Sequence, residues 1–431
     1  MSEPRRRLGK VGILRPLSIR DFALLWTGSA VSLVGDGVYT LTIAWQVYLL
    51  SDSPTALAMV GLAWSLPQVL LMLGSGALAD RVDRRRLMII GDAIRLVAIS
   101  TVGALSLSDA LTIPILVGLV AVYGVGQAIF GPAFSSIVPS IVPPDLLVEA
   151  NSLGMFVRPI AMTLIGPVIG GFLVGTVGTG WAFIADGGTF AFSAAMILLM
   201  RVRRAEREPG DDASIWVEAK EGIRYVRQQT WIWVAMVAAF VSLLCVWGPW
   251  ETLVPFVVKY DLNGSASDLG LIFGAGGVGA VLAAVVMGQV GLPRRAVTLL
   301  YVAWALGMLM TAGFGVIDTI WQGMIVAFVS EGSITVLVIV WVTLVQRLVP
   351  KELLGRVFSL DWMISLGGVP LSFAIVGPLA DVIGVRTTLI AAGVVGASVT
   401  LAFMFIPGAR GPERDGSLDD EPSTEPVGER R

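Results

Sequence analysis

The 431-residue chain contains no histidine and one cysteine, Cys245. Without histidine there is no imidazole metal ligand, no haem axial histidine and no Ser-His-Asp triad. A lone thiol excludes an intrachain disulfide and a CxxC metal site. No metal and no cofactor is expected, and any proton carrier must be a carboxylate or, failing that, Lys, Tyr or the thiol. Charge is scarce too: 14% of residues are charged and 55% are hydrophobic, with a mean hydropathy of +0.81. A soluble domain of this size needs far more polar surface. No Walker sequence is present, so ATP is not the direct energy source. Nothing points to a nucleic-acid partner.

What the chain has instead is long apolar runs. About twelve of them, near 22–49, 56–79, 87–107, 111–136, 153–176, 181–200, 231–256, 267–289, 296–316, 319–345, 357–381 and 387–406, approach the ~20 residues a helix needs to cross a bilayer. Helix is the expected state, because lipid leaves no other partner for the backbone and the runs lack the alternation of a barrel strand. The first run is too long for a signal-peptide core and should remain as a span. The expected fold is all-α and integral to a membrane, with two six-helix halves.

Basic residues set the expected orientation. With both termini on one side, 26 of the 30 Lys and Arg fall on that side, only Lys259 and Arg386 fall opposite, and Arg95 and Arg158 lie within spans. The positive-inside rule makes the crowded side cytoplasmic, in an inner or plasma membrane. The resulting organisation is a basic N-terminus (1–21), a first bundle (22–200), a linker (201–230), a second bundle (231–407) and a tail (408–431) read as disordered. Ile215, Ala219, Ile223 and Val226 keep helical spacing within the linker. They suit an amphipathic helix on the membrane surface or an ordinary linker helix.

The halves repeat. Ile141-Val142-Pro143 matches Leu348-Val349-Pro350, Gly166-Pro167 matches Gly377-Pro378, and the loop at Gly76 has a degenerate copy at Gly288, at offsets of 207, 211 and 212 residues. The duplication divides the chain into two matching six-span halves.

Four stretches carry a family resemblance. They are Phe22 to Tyr48 with Gly35-Asp36-Gly37; the loop Gly76-x-Leu78-Ala79-Asp80-Arg81 with Arg84, Arg85 and Arg86; Gly131-Pro132-Ala133 through Glu149-Ala150-Asn151 to Gly166-Pro167-x-x-Gly170-Gly171; and Gln346-Arg347-Leu348-Val349-Pro350 with Leu354-Gly355-Arg356. With these the chain resembles the major facilitator superfamily, in the exporter branch of the enterobactin exporter, macrolide efflux pumps and Tap-type drug exporters. The resemblance implies secondary active transport by a working monomer rather than an enzyme. It also implies an inner gate at Gly76, Asp80, Arg81, Arg84 and Arg85, facing the stretch from Gly355 to Asp361. Three departures stand out. Asp83 replaces the usual loop glycine, so the turn must form without glycine freedom. The fourth span lacks an Arg. Met162 holds the place of the first glycine of the full antiporter motif, of which Gly166, Pro167, Gly170 and Gly171 remain as a packing element.

Within the spans, ionisable residues are expensive and point to function. Asp36 lies about 21 Å along the first helix and Glu331 about 18 Å along the tenth, at ~1.5 Å per residue. Both are candidates for proton coupling or substrate binding, against a packing role beside their neighbouring glycines. Asp186 and Glu251 lie nearer span ends, where an interfacial role competes. Arg95 and Arg158 are expected to pair with Asp92, Glu149 or Asp361, or to snorkel. Of thirteen Trp, Trp231, Trp233 and Trp321 are expected as interface anchors, and Trp45, Trp64, Trp247 and Trp341 as cavity walls. Gly274-Ala275-Gly276-Gly277-Val278-Gly279 fits a dinucleotide-loop pattern but sits inside an apolar run, so helix packing explains it. The expected function is proton-coupled export of small amphipathic, drug-like molecules. The alternatives are a siderophore or metabolite exporter, or a membrane sensor that transports nothing.

Overall fold

A computed structural model describes residues 12–81, 83–143, 146–201, 215–350 and 353–414, and among these every regular element is helical. A short 3-10 segment, Gly12–Ser18, precedes α1 (Arg20–Leu50), α2 (Pro54–Arg81), α3 (Arg84–Leu107) and α4 (Ile113–Ile141). The next span is composite: α5 (Leu147–Pro159), a π-turn (Ile160–Ile165) and α6 (Gly166–Val177). Then come α7 (Thr179–Leu199), α8 (Ile215–Gln228), α9 (Thr230–Phe256) with a π-turn (Val257–Asp261), α10 (Ala266–Val290), α11 (Ala296–Gly313), α12 (Ile320–Leu348), α13 (Leu354–Ile383), α14 (Val385–Met404) and α15 (Gly411–Arg414). Eleven of the described helices are long and apolar enough to cross a membrane. The expected first span, α1, falls short on apolarity because Asp36 and Gln46 interrupt it. Both side chains are buried inside the bundle rather than facing lipid.

The two halves repeat the same packing. In the first, α2 meets α4, α3 meets α4 and α7, and α1 meets α6 and α7. In the second, α10 meets α12, α11 meets α12 and α14, and α9 meets α13 and α14. Between the halves the pairing exchanges: α2 packs on α13, and α10, the counterpart of α2, packs on α6. This is the pattern of a pseudo-two-fold axis.

Close approach across that interface depends on small residues. A Cβ on Gly171 would come 2.7 Å from the Ala266 carbonyl, and one on Gly270 2.7 Å from that of Pro167. Gly166 presses instead on Gly37 of α1, where a Cβ on Gly166 would come 2.6 Å from the Gly37 Cα. The Gly-Pro-x-x-Gly-Gly element therefore joins α6 to its own half on one side and to the other half on the next. The glycine run of α10 does the same work: a Cβ on Gly277 would sit 2.6 Å from Leu164, and one on Gly276 2.8 Å from Glu331.

Hydrogen bonds tie the halves together at the end where α1 stops, called here the Leu50 end. The Tyr48 hydroxyl donates to the Thr252 carbonyl at 2.7 Å. The Tyr260 hydroxyl donates to the Tyr48 carbonyl at 2.9 Å and also reaches Asp52. Lys259 donates to the same Tyr48 carbonyl. Thr55 donates to Asp381 at 2.7 Å and Ser267 to the Gly171 carbonyl at 3.2 Å.

Three segments bear on local expectations. The turn before α3 needs no glycine: Asp83 has φ −55°, and its side chain caps α3 by accepting from the Arg86 N–H at 2.9 Å. Asp is as good as any residue at that position. In α8 the face turned to the protein is Gly222 and Val226, packed on Arg356 and Leu360 of α13, and Glu221 pairs with Arg356. Ile223, on the expected apolar stripe, is 44% exposed on the protein's surface. The segment from Gly408 is not disordered throughout. Ala409 and Pro412 are buried, and Glu413 accepts from the Thr298 N–H (2.5 Å) and hydroxyl (2.8 Å), capping α11. The sequence signal was only composition; the tail beyond 414 lies outside the described residues.

Candidate functional site

Asp36 sits between two glycines on α1, and each glycine makes room for a neighbour. A Cβ on Gly35 would collide with Asp186 and Thr189 of α7, and one on Gly37 would come 2.9 Å from the Ala161 and Met162 carbonyls of the π-turn. That turn exists because the Gly166 N–H bonds the Ala161 carbonyl, five residues back, and Pro167 next to it has no N–H to give.

Around Asp36 gathers a buried charge cluster. Tyr123 of α4 donates to Asp36 at 2.7 Å. Arg95 of α3 lies 4.0 Å from the same Asp36 oxygen and 2.5 Å from Asp92. The Arg95 guanidinium is sandwiched between the rings of Phe130 (4.5 Å) and Phe190 (4.3 Å). This is a desolvated cation–π arrangement worth about 2 kcal/mol or more. Asp186 is 1% exposed and has no basic partner in contact among the described residues. Thr189 gives its proton to the Asp186 backbone carbonyl at 2.7 Å and stands 3.4 Å from its carboxylate. Among the described residues, Asp92 Oδ2, Asp186 Oδ2 and Arg95 Nε have no hydrogen-bond partner.

A second acidic pair lines a recess between the halves. Its walls are Thr40, Met162, Thr163 and Pro167 from the first half, and Trp250, Glu251, Phe273, Gly276, Ala327 and Glu331 from the second. The enclosed space is about 70 Å³, smaller than the pockets that hold drug-sized ligands. Trp250 stacks on Phe273, ring centroids 6.3 Å apart, and Phe314 supports it edge-on at 5.3 Å. Among the described residues no basic group pairs with Glu251 or Glu331. Thr40 lies one turn beyond Asp36 and donates to its carbonyl at 3.0 Å, so recess and charge cluster share one stretch of α1.

The expected site residues are thus regrouped. Asp36, Asp186 and Arg95 come together, with Asp92 as the Arg95 partner. Glu251 and Glu331 form a separate group. Asp186, expected near an interface, is instead inside the first bundle, because α7 packs that turn on the glycines of α1. Arg158 is exposed and makes no ion pair among the described residues. Glu149 faces Arg15 at 4.0 Å, and Asp361 accepts from Trp341 at 3.0 Å rather than from an arginine.

The four candidate cavity tryptophans do not line the recess. Trp45 lies near Lys259, Trp64 donates to Gln127 at 2.9 Å, Trp247 Nε1 is buried without a partner, and Trp341 packs on Trp231. Trp231 is accordingly buried and is no lipid anchor. Trp250 takes the place expected for those four; only its position between Pro249 and Glu251 marked it in the sequence. Tyr123, Phe130 and Phe190 were also missed, since nothing local distinguishes them from core aromatics.

Of the gate residues, Arg84 donates to the Ser136 carbonyl at 2.8 Å, and Arg85 to those of Ile197 (2.9 Å) and Leu198 (2.5 Å). Both therefore cap carbonyls of their own half in this conformation. The surroundings of Gly76 and the side chains of Asp80 and Arg81 lie outside what is described.

Residues 11–425 match the family described as transmembrane secretion effector. The chain belongs to that family. This agrees with the major facilitator resemblance of its motifs. The multidrug efflux pump Tap of Mycolicibacterium fortuitum is 26% identical over 92% of this chain and 96% of the pump. Macrolide efflux protein A of Streptococcus pyogenes is 22% identical, over 86% of this chain and 92% of that protein. Among solved structures, a bacterial homologue of the iron transporter ferroportin in its inward-facing state shares the fold. Its TM-score is 0.68 at 18% identity, covering 90% of this chain and 99% of that one. The family and its relatives are transporters, not enzymes.

Proposed function

We propose that this protein is a proton-coupled exporter of small amphipathic molecules, cationic or neutral, working as a monomer by alternating access in the inner or plasma membrane. The observation that carries the reading is the recess between the halves. Two carboxylates without basic partners among the described residues face a stacked Trp250–Phe273 wall, which suits a flat apolar body bearing positive charge. The named efflux relatives support export as the direction. The 26 basic residues gathered at one side support a cytoplasmic location for both termini. On that orientation the Leu50 end is external, and a structure tied there is inward-facing, ready to load from the cytoplasm. The fold supports a domain organisation of two bundles joined by the 201–230 linker. The Asp80 loop would close the cytoplasmic side in the opposite state.

The test is efflux of a fluorescent lipophilic cation from energised cells, comparing the parent with Glu331→Gln and Asp36→Asn at equal expression. Protonophore-sensitive efflux by the parent, weakened at least tenfold by Glu331→Gln, is the expected result. No efflux by the parent would sink broad export and favour a dedicated metabolite exporter. Efflux untouched by both substitutions would refute the choice of carboxylates.

A further inference from the structure

The buried cluster of the first half has an unbalanced charge. Three carboxylates, Asp36, Asp92 and Asp186, share one guanidinium, Arg95, and all four residues are at most 8% exposed. An uncompensated ion in such a place is costly, and the usual relief is a proton. The three carboxylates are not equivalent. Asp92 holds Arg95 at 2.5 Å. Asp36 accepts a hydrogen bond from the Tyr123 hydroxyl and has Arg95 at 4.0 Å. Asp186 has neither, its one hydroxyl neighbour spends its proton on a backbone carbonyl, and its Oδ2 is an orphan. Of the elements packed on α7, α1 presents Asp36 and Tyr39, α3 presents Asp92 and Arg95, and α6 presents no titratable group. Tyr123 from α4 stacks on Tyr39 at 4.6 Å, and Glu251 of α9 lies beyond it.

We infer that Asp186 is the proton store of the transport cycle, with Asp36 as its outlet to the recess and Arg95 as the internal counter-ion. The inference rests on the proton-coupled reading above. The proton leaves Asp186, is taken up by the Asp36 carboxylate when side-chain rotation brings the two within hydrogen-bond reach, and goes from there to water in the recess beside Thr40. Asp186 is left anionic, and Arg95, held only by ring faces and one tight pair, is drawn from Asp36 toward it. Because Asp36 is on α1 and Asp186 on α7, this exchange changes the attraction between two helices that line or support the recess. Loading of a cation beside Glu251 and Glu331 would favour the same proton loss through its field.

Two measurements on the purified full-length protein test this. Infrared spectra at pH 7 should show a protonated-carboxyl band that Asp186→Asn removes and Asp92→Asn leaves in place. In liposomes, Asp186→Asn should lower proton-gradient-driven transport of tetraphenylphosphonium at least tenfold while leaving its gradient-free exchange within about twofold. A merely structural role would lower both together. No such band in the parent, or gradient-driven transport that survives Asp186→Asn, overturns the inference alone. Parent transport that ignores the proton gradient overturns the proton-coupled reading as well. Should Asp186→Asn not fold, Asp186→Glu must shift the band and keep coupling; an unshifted band overturns the assignment.

Discussion

Removing the Tyr260 hydroxyl should unlatch the Leu50 end. That hydroxyl has one proton and two acceptors across the half interface, the Tyr48 carbonyl at 2.9 Å and Asp52. A neutral bond contributes about 1 kcal/mol and a charge-assisted one more, discounted here because Asp52 is exposed, for about 1.5 kcal/mol in all. The ring itself packs on Phe256 and Tyr48 and is unchanged in Tyr260→Phe. The latch exists only while the halves touch, so its loss shifts the balance between the two access states by roughly tenfold. A population of 99:1 would become about 90:10. Replacing Cys245 by alanine gives a cysteine-free background, since it is the only thiol. Spin labels at Ser108→Cys and Val316→Cys, on exposed turns of the two halves at the Leu50 end, then report the opening by pulsed electron resonance. A longer-distance component that grows on Tyr260→Phe is expected. Tyr225→Phe, at the other end, should leave the distribution unchanged. An unchanged distribution in Tyr260→Phe would refute the latch.

Other outcomes follow from particular contacts. Asp83→Ala should lower thermal stability by about 1 kcal/mol through loss of the α3 cap, whereas Asp83→Gly should cost only a few tenths; equal losses would contradict the capping role. Deleting residues 415–431 should leave the melting temperature unchanged, while Glu413→Ala should lower it by 1–3 kcal/mol equivalent, because the α11 N-terminus loses its acceptor. Phe190→Ala should destabilise more than a cavity alone explains, 3–5 kcal/mol plus the lost Arg95 stacking. A double-mutant cycle with Arg95→Met, followed by thermal melting, separates the two.

Composition and patterning were enough for much of this protein. Runs near twenty apolar residues allow only helices in lipid, so the all-α membrane fold, the repeat and the basic-side asymmetry are local properties that a sequence displays directly. The glycines beside Asp36 and the Gly166-Pro167-x-x-Gly170-Gly171 element also declared themselves, because close approach demands the absence of a Cβ wherever it occurs. Mid-span carboxylates stood out for a similar reason: lipid makes them rare.

What local pattern did not carry was grouping. Asp186 was placed by its distance from a span end, yet α7 turns it onto Gly35 and into the bundle. Glu251 and Glu331 are 80 residues apart in the chain and share one recess only because α9 and α12 converge there. Trp250 rather than its four rivals lines that recess, and helix rotation alone decides which face of a tryptophan-bearing span turns inward. The tail around Glu413 looked like solvent-exposed chain because its docking site is made by α9 and α11. The sequence determined what each segment is, since span, cap and close-packing signals act within a few residues. Tertiary structure decided which charges meet, because a carboxylate's partner is set by long-range packing that no local spacing encodes.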